Sequence, residues 1–260
     1  MNIVVLVKQV PDTWSERKLS GSDHTLDRAS ADAVLDEINE RAVEEALLAK
    51  EAHGGEVTAV CMGPERANEA IRKALSMGAD KAVHLQDEGL HGSDAVATAR
   101  ALAAAIGTVE SVDLVVAGNE STDGRSGAVP AMLAELLGWA QLTHARKVTS
   151  DGSAVTVERE TDAGVATVEA NLPAVVSVTE KINEPRYPSF KGIMAAKKKP
   201  VSVLSLADAG IDAGAVGLAN AGSQVVSSAP APPKEAGQKV TDEGNGGVQV
   251  VEFLSGQKLV

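Results

Sequence analysis

Aromatic residues are nearly missing from this 260-residue chain: two tryptophans, two phenylalanines and one tyrosine, 2% in all. So few rings leave almost nothing to stack on a base, which argues against recognition of single-stranded nucleic acid. Basic residues are also scarce, 24 Lys and Arg against 36 Asp and Glu, for a formal net charge of −12. That balance disfavours nucleic acid and anionic membrane surfaces as partners. No run approaches the ~18 apolar residues needed to span a bilayer. The single cysteine, Cys61, rules out an intrachain disulfide and fits a reducing compartment. Five scattered histidines, without HExxH or paired CxxC spacing, offer no recognisable metal site. The first ten residues enter an apolar strand with no charged leader, so no signal peptide is expected and a cytoplasmic location is.

What is present is aliphatic, 44% hydrophobic overall. A core of Ala, Val, Leu and Ile is usual where helices cover a buried parallel sheet. Residues 3–7 form an apolar run typical of a strand buried on both faces. Over residues 31–52 the spacing predicts a helix, with Val34, Leu35, Ile38, Ala42, Ala46 and Ala49 on one face and Gly54 and Gly55 as its stop. A strand at 57–62, a helix opened by Gly63-Pro64-Glu65, a strand at 81–85, a helix at 93–106 and a strand at 113–117 come next. These β–α repeats predict an α/β fold with a doubly wound parallel sheet. Beyond Trp139, residues 154–160 and 165–170 read as a hairpin, with short strands at 173–178 and 201–206. The main domain is expected over 1–206. Residues 207–260 read as a Gly/Ala/Pro-rich linker with a short apolar segment at 248–254, either a frayed tail or an arm that docks on a partner chain.

Two segments carry chemistry. The first is Gly118-Asn119-Glu120-Ser121-Thr122-Asp123-Gly124-Arg125-Ser126-Gly127-Ala128-Val129, between the fourth strand and a helix containing Met132 and Leu133. Loops at the carboxyl ends of such strands form the ligand crevice of open α/β sheets. Glycines for close approach, three hydroxyls, a guanidinium and free N–H groups at a helix start all suit a phosphate. The motif is neither a Walker A loop nor GxGxxG, so an ordinary polar turn fits the same residues. Asp36, Glu37 and Asn39 would either line that crevice or form a solvated acidic helix face. No spacing brings a nucleophile to a base, and no catalytic set is expected. Cys61 reads as a buried inert thiol and residues 197–199 as a solvated basic loop.

The second segment is Asn183-Glu184-Pro185-Arg186-Tyr187-Pro188-Ser189-Phe190-Lys191-Gly192-Ile193-Met194, whose two prolines predict a stiff, non-helical backbone. Tyr187 and Phe190 suit a protein–protein contact if exposed, or a small local core if not.

The pieces Val7-Lys8-Gln9-Val10-Pro11-Asp12, Ala42-Val43-Glu44-Glu45-Ala46, the stretch Ala70-Ile71-Arg72-Lys73-Ala74 through Asp80, Leu172-Pro173-Ala174-Val175-Val176, and Asn183-Glu184-Pro185-Arg186-Tyr187 through Lys199 occur in order. Together they resemble the β subunit of electron-transfer flavoprotein, nearly end to end, in the form found in high-GC Gram-positive bacteria. The resemblance implies a Rossmann-like, adenine-nucleotide-binding domain paired with an α subunit that carries the redox FAD. It implies AMP in this chain, with a second FAD as the alternative in electron-bifurcating relatives. By position the pocket would comprise Leu6, Asp36, Glu37, Ile38, Asn39, Met62, Gly118, Asn119, Ser121, Thr122, Asp123, Gly124, Arg125, Ser126, Gly127, Ala128 and Val129. Residues 187–194 match the loop that docks on acyl-CoA dehydrogenases, with Phe190 where a leucine anchor is common. Such a subunit carries electrons toward a membrane quinone reductase and has no catalytic residues of its own. Gly127, Ala128 and Val129 replace amide and hydroxyl side chains common in relatives, so backbone N–H groups, Ser121 and Ser126 are expected to carry more of the phosphate binding. A stand-alone adenine-nucleotide-binding regulatory protein is the rival from another class, but it would need neither residues 183–199 nor the C-terminal arm.

Overall fold

The computed structural model describes every residue except Glu235 and Gln238. The chain runs through β1 (Asn2–Val7), β2 (Gln9–Pro11), β3 (Ala33–Leu35), α1 (Glu37–His53), β4 (Glu56–Met62), α2 (Asn68–Met77), β5 (Lys81–Leu85), α3 (Ala95–Gly107), β6 (Leu114–Gly118), α4 (Val129–Leu137), β7 (Ala140–Ser150), β8 (Ala154–Thr161), β9 (Gly164–Asn171), β10 (Ala174–Val178), α5 (Phe190–Ala196), β11 (Val201–Leu204) and α6 (Gly246–Gly256). It forms two compact units, Met1–Val226 and Ser227–Val260. The main sheet has the order β11-β5-β4-β1-β6-β10-β7-β8-β9. It is parallel from β11 to β7, and β8 and β9 then add antiparallel.

The alternation of β1 explains the layers. Ile3, Val5 and Val7 face a core shared with Ala42, Ala46, Ile71 and Leu75 of α1 and α2. Val4 and Leu6 face the opposite core, against Leu102 and Ile106 of α3 and Leu133 of α4. A strand covered on both faces must be apolar at every position, as the expectation of a doubly wound sheet requires. Each such aliphatic side chain contributes about 1.5–3 kcal/mol on burial. Cys61 lies in the first of these cores, where burial pushes its thiol pKa up to about 12 and keeps it inert.

Several expectations are corrected. The helix expected over 31–52 begins only at Glu37, because residues 33–35 pair antiparallel with Gln9–Pro11 and Asp36 caps α1 immediately after them. A long strand, β7, fills the stretch after Trp139 that the sequence pattern left unassigned. The compact body also continues past residue 206. Leu206 and Val216 are buried, and the N–H groups of Gly217, Leu218 and Gly222 are bonded to Ser93, His91 and Asp94. The second unit contains α6, on which Val248, Val250, Val251 and Phe253 are exposed. No helix of the described residues is long and apolar enough to cross a membrane.

Candidate nucleotide site and docking segment

Strand order reverses between β1 and β6. From β1 the sheet grows through β4 to β5 on one side, and through β6 and β10 on the other. The carboxyl ends of β1 and β6 therefore flank the crevice where open α/β sheets bind ligands. Leu6 lies near one end and Gly118 closes the other, with Met62 ending the adjacent β4. Gly118 is sterically required: a Cβ there would fall 2.7 Å from Asn39 Nδ2 and 3.0 Å from Ile38 Cγ2. Strand β6 thus meets the first turn of α1 with no intervening side chain.

Asp36 joins the same two elements. It is fully buried, at 0% exposure. Its Oδ1 accepts from Ile38 N–H (2.9 Å) and Asn39 N–H (3.3 Å), capping α1. Its Oδ2 accepts from Thr122 N–H (2.6 Å) and Thr122 Oγ1 (2.8 Å). The solvated-face reading fails for Asp36, whose carboxylate is spent on holding the loop to the helix; Glu37 is exposed and accepts from Thr13 Oγ1.

Asp123 is the second anchor, with its side chain 1% exposed. Lys8 Nζ donates to Oδ1 and Arg28 Nη2 to Oδ2, both at 2.8 Å. Burial opposes ionisation of this carboxyl, but Lys8 and Arg28 outweigh it and hold the pKa well below the usual carboxylate range. Desolvation lowers the Lys8 pKa, opposed by the attraction of Asp123.

Between these anchors and α4 the loop is open. Arg125 (φ 48°) and Gly127 (φ 63°) both adopt left-handed backbone. The start of α4 has no side-chain cap and no acidic residue in its first turn. Unpartnered N–H groups at an uncapped helix start are suited to an anion. Arg125 pairs with Glu120 at 3.0 Å, Ser121 Oγ accepts from Lys8, and Ser126 lies next in the exposed turn. Asn119 Oδ1 is buried and without a hydrogen-bond partner among the described residues. An acceptor desolvated in this way costs about 1–3 kcal/mol unless something donates to it. The ribose hydroxyls or the amino group of adenine would do so, and the residues present fit an adenine nucleotide.

The segment 183–194 is held from below and open above. Arg186 places Nε and Nη2 on the two carboxylate oxygens of Glu44 (2.8 and 2.9 Å) and Nη1 on Glu51 (2.6 Å). Its own N–H also meets Glu44 Oε2 at 3.0 Å, so the backbone of the segment is fastened to α1. Beyond it the expected non-helical path ends. Ser189 Oγ accepts from Gly192 N–H and caps α5, because Pro188 stops just short of the helical residues. A Cβ at Gly192 would lie 2.5 Å from Ser76 O, so glycine lets α5 seat on the end of α2. Arg72 Nη1 donates to the carbonyls of Ala196 and Lys199, and Lys199 Nζ to Leu75 O, which makes Lys199 a tether rather than part of a solvated run. Tyr187 and Phe190 stand 94% and 81% exposed, with Ile193 and Met194 half exposed beside them. The local-core alternative for the two rings is excluded.

The sequence matches the family described as Electron transfer flavoprotein domain over residues 23–209. It is 67% identical to the electron transfer flavoprotein subunit beta of Mycobacterium tuberculosis, over 100% of this chain and 99% of that one. The chain belongs to the electron transfer flavoprotein family. The corresponding protein of Mycobacterium leprae is 66% identical over the same shares. The caffeyl-CoA reductase-Etf complex subunit CarD of Acetobacterium woodii is 35% identical, over 93% of this chain and 92% of its own.

In this member of the electron transfer flavoprotein family, Gly118 packs against Ile38 and Asn39, Thr122 and Asp123 are anchored to Asp36, Lys8 and Arg28, residues 124–126 are exposed, and Leu6 and Met62 lie at neighbouring strand ends. Lys8, Arg17 and Arg28 were not singled out from the sequence, yet each bonds the loop. The signal available was position: Lys8 comes directly after the strand that ends at the switch in strand order.

Proposed function

We propose that this chain is the β subunit of a heterodimeric electron-transfer flavoprotein that binds AMP in the crevice between β1 and β6. The observation that carries the reading is the open loop at 118–129, set at the sheet's switch point with an uncapped helix start and the unpartnered Asn119 Oδ1. Likeness to β subunits along the whole chain supports the assembly with an α subunit. A flavin held by that α subunit would supply the one- and two-electron chemistry. This chain's residues bind and orient: backbone N–H groups at 127–129 with Ser121 and Ser126 meet the phosphate, and Asn119 meets the nucleoside. Tyr187, Phe190, Ile193 and Met194 form the apolar contact for acyl-CoA dehydrogenases, from which electrons pass on to a membrane quinone reductase. The exposed face of α6 packs on the partner subunit.

Co-expression with an α subunit, purification and nucleotide extraction test the reading. One FAD and one AMP per heterodimer are expected. Two FADs and no AMP would overturn the AMP assignment in favour of a second flavin, and failure to form a heterodimer would overturn the assembly.

A further inference from the structure

Residues 12–32 connect β2 to β3, the two strands of a small sheet separate from the main one. This strap closes on itself through a bridge between Leu19 and Leu26, and Arg66 Nη1 donates to its Ala31 carbonyl (3.2 Å). Two of its cations reach across to the loop after β6. Arg17 Nη1 donates to Thr122 O at 2.7 Å, and Arg28 Nη2 to Asp123 Oδ2 at 2.8 Å. Lys8, on the other oxygen of Asp123, is fixed to the framework because it comes directly after β1.

The two cations do different work. Lys8 compensates the buried charge and, together with the Gly124 N–H (2.7 Å), holds Oδ1, which leaves Oδ2 to Arg28. Arg28 fixes the second oxygen, and with it the orientation of Asp123 and the path of the next residues. Those residues need holding: Arg125, two positions on, sits at φ 48°, where a side chain larger than glycine's is strained by ~1–2 kcal/mol. A loop held in that form before ligand arrives loses less freedom on binding.

We propose that Arg28 is a positioning residue for the nucleotide loop, acting through Asp123 without touching ligand. The inference rests on the reading of this loop as a nucleotide site. Arg28 is well placed for substitution, since its side chain is 40% exposed and its removal opens no core cavity.

The test uses the heterodimer, with AMP as the probe and two readouts: AMP affinity by equilibrium dialysis, and amide hydrogen exchange across residues 119–128. Losing one charge-assisted contact to a buried carboxylate predicts, for Arg28→Gln, AMP affinity lower by about tenfold and loop exchange faster by about tenfold. Exchange in α1 and the FAD content should stay at the wild-type level. Arg28→Lys should recover toward wild type, because a single N–H meets Asp123 Oδ2. Lys18→Gln, which removes a strap cation paired with Glu16 alone among the described residues, should match wild type. Unchanged affinity and unchanged loop exchange in Arg28→Gln would overturn the proposal. A wild-type complex that binds no AMP would overturn the nucleotide reading, and loop exchange alone then decides whether Arg28 holds the loop.

Discussion

Replacing Asp36 by asparagine would leave the shape of the junction between α1 and the loop at 118–129 intact while removing its charge and one acceptor. The side-chain oxygen can still cap α1 through Ile38 and Asn39. The new NH₂ then faces Thr122 N–H and Oγ1, which the carboxylate accepts at 2.6 and 2.8 Å. The hydroxyl can turn and accept, but the backbone N–H cannot. One buried N–H is left unpaired against another donor, and at about 1–3 kcal/mol for each unsatisfied group the sum is about 3 kcal/mol. Thr122→Val removes only the hydroxyl bond and should cost about 1 kcal/mol. Asp36→Ala loses the cap as well, adding about 1 kcal/mol more. At 2–4 °C per kcal/mol for a domain of this size, Asp36→Asn should melt roughly 6–12 °C below wild type and Thr122→Val about 2–4 °C below. Scanning calorimetry of the three variants gives the ranking. A melting temperature for Asp36→Asn equal to that of Thr122→Val would show that the carboxylate does not bind helix and loop together.

Phe190→Ala should change the melting temperature little, since the ring is exposed, yet slow electron transfer from an acyl-CoA dehydrogenase by about tenfold, as loss of an interface anchor does. An unchanged rate with saturable donor kinetics would remove Phe190 from the docking surface. Asp123 gives a pH dependence of defined sign. A carboxyl held below its unfolded pKa contributes stability that is present above about pH 4 and is lost as pH falls through the folded value. The melting-temperature gap between wild type and Asp123→Asn should therefore be constant from pH 8 to about pH 5 and narrow in stronger acid; a gap that widens on acidification would contradict the ion-pair assignment.

The sheet's centre was readable because β1 and β6 are almost wholly aliphatic, and β4 and β5 interrupt their apolar runs inside the strand only at Thr58 and His84, both of them buried. Strand β7 was not, and the reason is local. Its register shifts between Ala145 and Lys147, and His144 takes φ 58°. Leu142, Ala145 and Val148 therefore face inward at a spacing of three rather than two, and the alternation that marks a strand is erased. Residues 33–35 were hidden differently, since three apolar residues before Asp36 extend the apolar stripe of α1 backwards. At the site, glycines and hydroxyls pointed to a ligand loop, but its anchors did not. Asp36 meets Thr122 and Lys8 meets Asp123 across 86 and 115 positions of chain, and only the folded sheet brings such pairs together. The capping role of Ser189 was written in the sequence, but the two prolines before it suggested an extended path instead.

Helix α1 has a property that neither site has alone. Its cap, Asp36, grips the loop at 118–129; Glu44, eight residues and about 12 Å along the axis, grips Arg186 beneath the exposed rings. One rod is thus the common ruler for both. A docking segment transplanted to another protein without this helix would arrive without its seat. Conversely, a chimera that exchanges α1 between relatives should exchange with it the spacing between the loop at 118–129 and the exposed rings at 187–190, so residues 36–51 are the smallest piece that must move as a unit.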